Sequence, residues 1–128
     1  EVLSTIYTQY QWVFTDREEL DLCNLEKLET ELNLINPQII INCAAHTAVD
    51  KAESEFELSD VLNHQSVAIL AKWSFANDCK FIHVSTDYVF DGTAATALTE
   101  TAQTNPINVY GQTKLDGESA IQKIINNY

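Results

Sequence analysis

"QIIINCAA", residues 38–45, is a continuous apolar run with three consecutive β-branched side chains, closed by small residues. A run of this length and composition reads as a strand buried on both faces of a parallel sheet. Working outward, "KFIHVSTD" (80–87) repeats the pattern. "QWVFTD" (11–16) is a shorter apolar and aromatic run ending in polar residues, as a buried strand would be. Between the first two strands Leu25, Leu28, Leu32 and Ile35 recur at three- and four-residue steps, with Asn24 as a capping residue ahead and Pro37 as a stop behind. That predicts one amphipathic helix. A second helix is predicted over roughly 56–77 from Val61, Leu62, Ile69, Leu70, Trp73 and Ala76, and a third from about Val109 to Asn126 after a polar stretch at 91–106. Strands alternating with helices in this order imply an α/β fold with a parallel sheet and right-handed crossovers.

The 128 residues are 45% hydrophobic, enough for one domain with a core, and no repeat or linker divides them. A formal charge of −12 repels nucleic acid and anionic lipid, so the reading is no nucleic acid and no membrane partner. No run of about 18 apolar residues is present, and "EVLSTIYTQY" lacks the basic and apolar parts of a secretory leader, which points to the cytoplasm. The chain has no methionine, and its opening reads as the tail of a helix begun upstream, so it is expected to be a fragment. Cys23, Cys43 and Cys79 are odd in number and set among apolar residues, as reduced core thiols would be. His46, His64 and His83 show no paired ligand spacing, so no metal site is expected. "DKAESEFE" (50–57) reads as a solvated helix start, with Glu53 and Glu55 at the positive end of the helix dipole.

Ligands of parallel α/β sheets bind beyond the carboxyl ends of the strands. Here those ends carry Asp16, "AAHT" (44–47) and "STD" (85–87), although each is also compatible with an ordinary strand-to-helix turn. The third helix opens with Tyr110 and Lys114, four apart and so on one helical face. A phenol is a poor acid near neutrality, and a neighbouring ammonium favours its ionised form, which makes tyrosine usable as a general acid. Ser85 and Thr86 supply hydroxyls where that helix begins, and a hydroxyl there could share developing alkoxide charge with Tyr110.

"CAAHTAVDKAE" (43–53), "VSTDYVFDG" (84–92) and "NPINVYGQTKLDGE" (105–118) together resemble the dTDP-4-dehydrorhamnose reductases, extended short-chain dehydrogenase/reductases, across essentially the whole chain. The resemblance implies a partial Rossmann-like doubly wound parallel sheet over 1–128, and reduction of the 4-keto group of a dTDP-sugar, dTDP-4-dehydro-L-rhamnose, by NADPH or NADH. It implies Thr86, Tyr110 and Lys114 as the catalytic set. Cofactor contacts would come from Asp21 and Leu22 at the adenine, Ala45, His46 and Thr47 near the pyrophosphate and ribose, Val84 at the nicotinamide, and Tyr110 and Lys114. Asp87 would lie beside Thr86 near the substrate. Asp21 is equally readable as a turn residue before Asn24, and His46 as a hydrogen-bonded turn histidine. Asn63 would brace the cofactor loop or serve as a polar mid-helix residue. Some family members hold Mg2+ through surface carboxylates at a subunit contact, so a magnesium ion and a homodimer are compatible with the resemblance, though no residue here singles them out.

The family's glycine-rich first turn is absent, since glycines occur only at 92, 111 and 117, and so is the carboxyl-terminal region that grips the nucleotide-sugar. In the family the first strand lies between 11–16 and 38–43, so the isolated chain is expected to be aggregation-prone and without reductase activity. Two rivals share parts of the pattern: a non-catalytic regulatory subunit like methionine adenosyltransferase β, which fits "AAHTAVDKAE" less well, and a nucleotide-sugar epimerase or dehydratase. Dehydratases usually add acidic residues after the threonine, where this chain has only Asp87.

Overall fold

Ile39–Asn42 (β1) and Lys80–His83 (β2) pair in parallel, with Ile39 opposite Lys80 and Asn42 opposite His83. This computed structural model describes residue 5 and residues 8–124. The expected helix tail at residues 1–7 lies outside the described residues apart from Thr5, as do the last two residues of the expected third helix.

Because side chains alternate along a strand, Ile40, Asn42, Phe81 and His83 share one face and Ile39, Ile41 and Ile82 the other. Ile40 and Phe81 pack on a core of Leu22, Leu28, Leu32, Leu70, Trp73 and Cys79. Each fully buried leucine there contributes roughly 1.5–3 kcal/mol relative to exposure. The second face differs from the expectation of burial on both sides: Ile39 is 43% exposed, Ile41 41% and Ile82 47%. No described helix covers it. Cys43, one position beyond β1 and in phase with Ile41, is exposed for the same reason, whereas Cys79 is buried and Cys23 partly so; all three are free thiols. The expectation of three core thiols is corrected at Cys43.

"QWVFTD" is not a strand. Among the described residues the sheet consists of β1 and β2, and 11–16 is not part of it. Its aromatic side chains pack on one another instead, Trp12 stacked on Phe14 at 6.0 Å and edge-to-face with Tyr10 at 6.2 Å.

The first expected helix forms as Leu25–Ile35 (α1), burying Leu28 and Leu32. Asn24 occupies the cap position, but its side chain makes no cap bond; its carbonyl accepts from Lys27 N–H at 3.0 Å. Asn36 ends the helix in the left-handed region (φ 47°), and its N–H donates to the Leu32 carbonyl. After a short turn of helix, Val49–Ala52 (α2), the second expected helix appears in three joined parts: Phe56–Asp60 (α3), a π-helical turn at Val61–Gln65, and Ser66–Ala76 (α4). The Trp73 indole N–H ties α4 to α1 through Asn33 Oδ1 at 2.8 Å. A 3₁₀ turn, Asp87–Val89, follows β2, and Val109–Ile124 (α5) packs against α4 and the π-helical turn. None of the described helices is long and apolar enough to cross a membrane.

Candidate active site

α5 carries the Tyr110–Lys114 pair, and the sequence around it fixes where the helix lies. Asn108 Oδ1 accepts from Gly111 N–H at 2.7 Å, a side-chain cap on an otherwise unsatisfied donor. Val109 N–H donates to the Glu53 carboxylate at 2.8 Å. Glu53 thus serves the positive end of α5, not that of its own segment, which corrects the expectation for "DKAESEFE" at Glu53, whereas Glu55 does stand at the start of α3. A Cβ on Gly111 would sit 2.2 Å from the Tyr88 carbonyl oxygen, and one on Gly117 2.3 Å from that of Asn63. These two glycines let the helix lie against the 3₁₀ turn and the π-helical turn.

Tyr110 is 8% exposed, its ring edge-to-face with Tyr88 at 5.5 Å. Lys114 is buried, 2% exposed, and its Nζ donates to the Val84 carbonyl beyond β2 and lies 3.3 Å from His83 Nε2. Burial lowers the lysine pKa, partly opposed by the Glu118 charge. Burial, and then the charge that Lys114 carries when protonated, push His83 down to about 4. Thr86 Oγ1 accepts from Tyr88 N–H at 3.3 Å, capping the 3₁₀ turn, and donates to Asp87 Oδ1 at 3.3 Å. Ser85 donates to Glu118 on α5. Hence Thr86 sits in the turn that packs on α5 beside Tyr110, while the Ser85 hydroxyl is committed to a carboxylate.

The cofactor positions divide. The segment holding Ala45, His46 and Thr47 leaves the carboxyl end of β1 and is clamped by Asn63: its Oδ1 accepts from His46 N–H at 2.8 Å and its Nδ2 donates to His46 O at 3.1 Å. His46 Nε2 meets Glu55 Oε2 at 2.8 Å, while its Nδ1 is buried without a partner among the described residues. Val84 is 53% exposed and continues the ladder through Asn42 O. Asp21 instead organises the turn before α1: its Oδ1 accepts from Cys23 N–H at 2.9 Å, and it pairs with Arg17 at 3.6 Å. Leu22 belongs to the core. Asp87 is exposed at the start of the 3₁₀ turn.

Sequence reasoning missed Asn42, which bonds His83 across the strands at 3.2 Å, and the buried hydroxyls Ser59 and Thr113, which join Asn63 at 3.2 and 3.1 Å. Their separations in the chain hide them; only the strand register and helix crossing bring them together. It also missed a grouping of His64 with Asp60 and Asp116, whose candidate ligand atoms lie within 4.8 Å of one another. There Asp60 already accepts from His64 Nδ1 at 2.9 Å.

Residues 3–128 match the family model described as the RmlD substrate binding domain. A dTDP-4-dehydrorhamnose reductase of Salmonella typhimurium is 48% identical over 102 residues, covering 80% of this chain and 34% of the relative. The chain thus spans about a third of the length of such relatives. The crystal structure of a dTDP-4-dehydrorhamnose reductase from Bacillus anthracis in complex with NADP superposes with a TM-score of 0.88 at 36% identity, over 94% of this chain and 43% of that one. A crystal structure of the corresponding reductase from Clostridium acetobutylicum gives 0.86 at 38%, over 91% and 41%. The expected Rossmann-like α/β architecture is the one these structures share with the chain.

Proposed function

Because the chain belongs to the RmlD substrate binding domain family, we propose that it is the part of a dTDP-4-dehydrorhamnose reductase that carries the general acid and part of the NAD(P)-binding domain. The observation that carries this reading is Tyr110 and Lys114, both buried on one turn of α5, against the carboxyl end of β2. Residues 1–128 would form part of a Rossmann-like NAD(P)-binding domain. The protein would act on a soluble dTDP-sugar in the cytoplasm, with a homodimer as the assembly to test.

The residues suit a nicotinamide cofactor. Val84 and Thr47 are exposed at the ends of the two strands, Ala45 leaves room for a flat group against the backbone, and Lys114 presents donors beside them. NADPH or NADH would supply hydride to C4 of the sugar, and the NADP bound to the Bacillus anthracis relative supports the first. Tyr110 protonates the alkoxide as it forms. Lys114 binds ribose hydroxyls and favours the phenolate left behind, because a cation stabilises the charged form of a neighbouring acid. Thr86, released from Asp87, donates to the keto oxygen, and Asp87 lies at the substrate side of the same turn. The clamp of Asn63 on His46 would hold the segment Ala45–Thr47 in place to receive the pyrophosphate and ribose, with Asp21 and Leu22 as the positions that would serve the adenine.

The test is loss of NAD(P)H absorbance with dTDP-4-dehydro-L-rhamnose in a full-length protein bearing this chain. Tyr110→Phe should lower kcat by about 10²–10⁴-fold, the usual contribution of a positioned proton donor. A rate equal to wild type would remove Tyr110 as the acid.

A further inference from the structure

Asn42, His83 and Lys114 form a chain of hydrogen bonds whose direction is set at one end by the backbone. Ala44 N–H donates to Asn42 Oδ1 at 3.1 Å. A backbone N–H cannot reverse its role, so this contact fixes the amide orientation, and Asn42 Nδ2 must face His83 Nδ1, 3.2 Å away. An amide nitrogen only donates; Nδ1 is therefore the bare nitrogen of the ring, and in neutral imidazole the proton sits on Nε2. That N–H points to Lys114 Nζ at 3.3 Å. An ammonium has three N–H groups and no lone pair, so against a charged lysine the contact would be donor against donor. A neutral amine removes the conflict: its lone pair accepts from His83 Nε2–H while one of its own N–H groups donates to Val84 O.

We propose that Asn42 and His83 hold Lys114 as a neutral amine when the cofactor is absent, and that cofactor binding draws the amine off His83 with uptake of one proton. The inference rests on the reductase reading only for the identity of the cofactor. His83 is then a positioning residue that acts through Lys114, not a group that touches the reacting atoms. The surroundings agree: Lys114 is 2% exposed, and burial disfavours its charged form. The charged or titratable groups facing it are His83 from β2, Glu118 on its own helix, already bonded to Ser85, and Tyr110 one turn earlier. Bringing ribose hydroxyls to Lys114 would supply acceptors beyond the single Val84 carbonyl, so the ammonium would become the favoured form.

The proton balance is simple. In the free protein Nζ carries two protons and one lone pair; on binding, a proton from solvent occupies that lone pair and His83 keeps its own.

The experiment is nuclear magnetic resonance on a full-length protein bearing this chain, free of ligand, reading the His83 ring nitrogens and the Lys114 Cε against pH. The expected result is the Nε2–H tautomer, with Lys114 titrating below an ordinary lysine. His83→Phe, which keeps a ring beside Phe81, should raise the Lys114 midpoint by about one unit, a tenfold change in its ionisation constant. Asn42→Asp should invert the chain: Asp accepts from both Ala44 N–H and His83 Nδ1–H, leaving Nε2 bare to receive an ammonium. The tautomer would switch to Nδ1–H while the fold persists. Calorimetry of NADP binding in buffers of different ionisation enthalpy should show close to one proton taken up by wild type and clearly fewer by His83→Phe, about half a proton for a tenfold change in the ionisation constant. An Nδ1–H tautomer in wild type, or a Lys114 midpoint indifferent to both substitutions, overturns the proposal. These readings need no substrate, so a protein that fails to reduce the sugar but shows the tautomer sinks only the functional reading.

Discussion

Replacing Asn63 by alanine should cost the fold about 3–7 kcal/mol, and the figure can be assembled from its contacts. The side chain is fully buried and has four polar contacts: its Oδ1 accepts from His46 N–H, and the two N–H groups of its Nδ2 are shared among His46 O, Ser59 and Thr113. Ser59 and Thr113 also bond each other at 3.1 Å, and Thr113 donates to the Tyr110 carbonyl at 3.1 Å, so the two hydroxyls keep partners after the substitution. The His46 N–H and C=O lose theirs. An unsatisfied buried polar group costs roughly 1–3 kcal/mol, and the vacated volume adds a further contribution of about 1 kcal/mol. Ser59→Ala, which removes one hydroxyl but leaves the His46 clamp, should cost about 1 kcal/mol. Urea unfolding of both variants in a full-length protein bearing this chain measures the difference. NADP affinity should fall with Asn63→Ala more than with Ser59→Ala, because only the former frees the segment 45–47. If Asn63→Ala shifts the midpoint no more than a surface substitution, within about 0.5 kcal/mol, the clamp does not hold that segment and the reasoning fails.

Gly111→Ala should destabilise by about 1–3 kcal/mol despite alanine's better helix propensity, since its Cβ would meet the Tyr88 carbonyl at 2.2 Å; equilibrium unfolding checks this, and an alanine variant as stable as wild type would deny the close approach. For acid stability, the His83 pKa falls from 6.5 to about 4 on folding, so the unfolded chain binds the proton first. Stability should therefore be intact above about pH 6.5, decline down to about pH 4 and level off below; a shift of this size is worth roughly 3 kcal/mol, reduced to on the order of 2 because water reaches part of the ring. His83→Phe should flatten that part of the profile, and an unchanged slope would assign the decline to other groups. Finally, the 128-residue chain alone should self-associate through the face of Ile39, Ile41 and Ile82, as light scattering would record; a monodisperse monomer with a sharp cooperative transition would contradict this.

What could be read in the sequence was whatever local pattern determines. The β-branched run at 39–41 became β1, the three- and four-residue leucine spacing became α1, and the Tyr110–Lys114 spacing placed both residues on one turn of α5. What failed depended on partners far along the chain. An apolar run says that a strand can be covered, not that it is: Ile39 and Ile41 look identical in sequence to a doubly buried strand. "QWVFTD" has strand composition, but pairing requires a neighbour that composition does not supply. Asn24 has the residue type of a cap and stands at the cap position, yet its side chain makes no cap bond. Glu53 was legible as a carboxylate near a helix start, but the helix it serves begins 56 residues later.

The polar residues buried around α5 explain why a helix with so uneven an apolar face is still held in one position. Leucine contacts alone tolerate sliding and rotation, because dispersion is non-directional and cores accept repacking. Here the restraints are directional and spread along the helix: Glu53 at Val109, Asn63 at Thr113, Val84 at Lys114 and Ser85 at Glu118. Between them, Gly111 and Gly117 set the approach to the Tyr88 and Asn63 carbonyls, where a shift along the axis would bring a side chain into backbone oxygen. A one-residue rotation would break every one of these contacts together, leave Lys114 buried without the Val84 carbonyl and take Thr113 from Asn63, at several kcal/mol in total. Proton transfer depends on atoms held to within fractions of an ångström. An arrangement that makes misplacement costly at each end of the helix is therefore a physical reason for the same residues to be polar, buried and close to Tyr110.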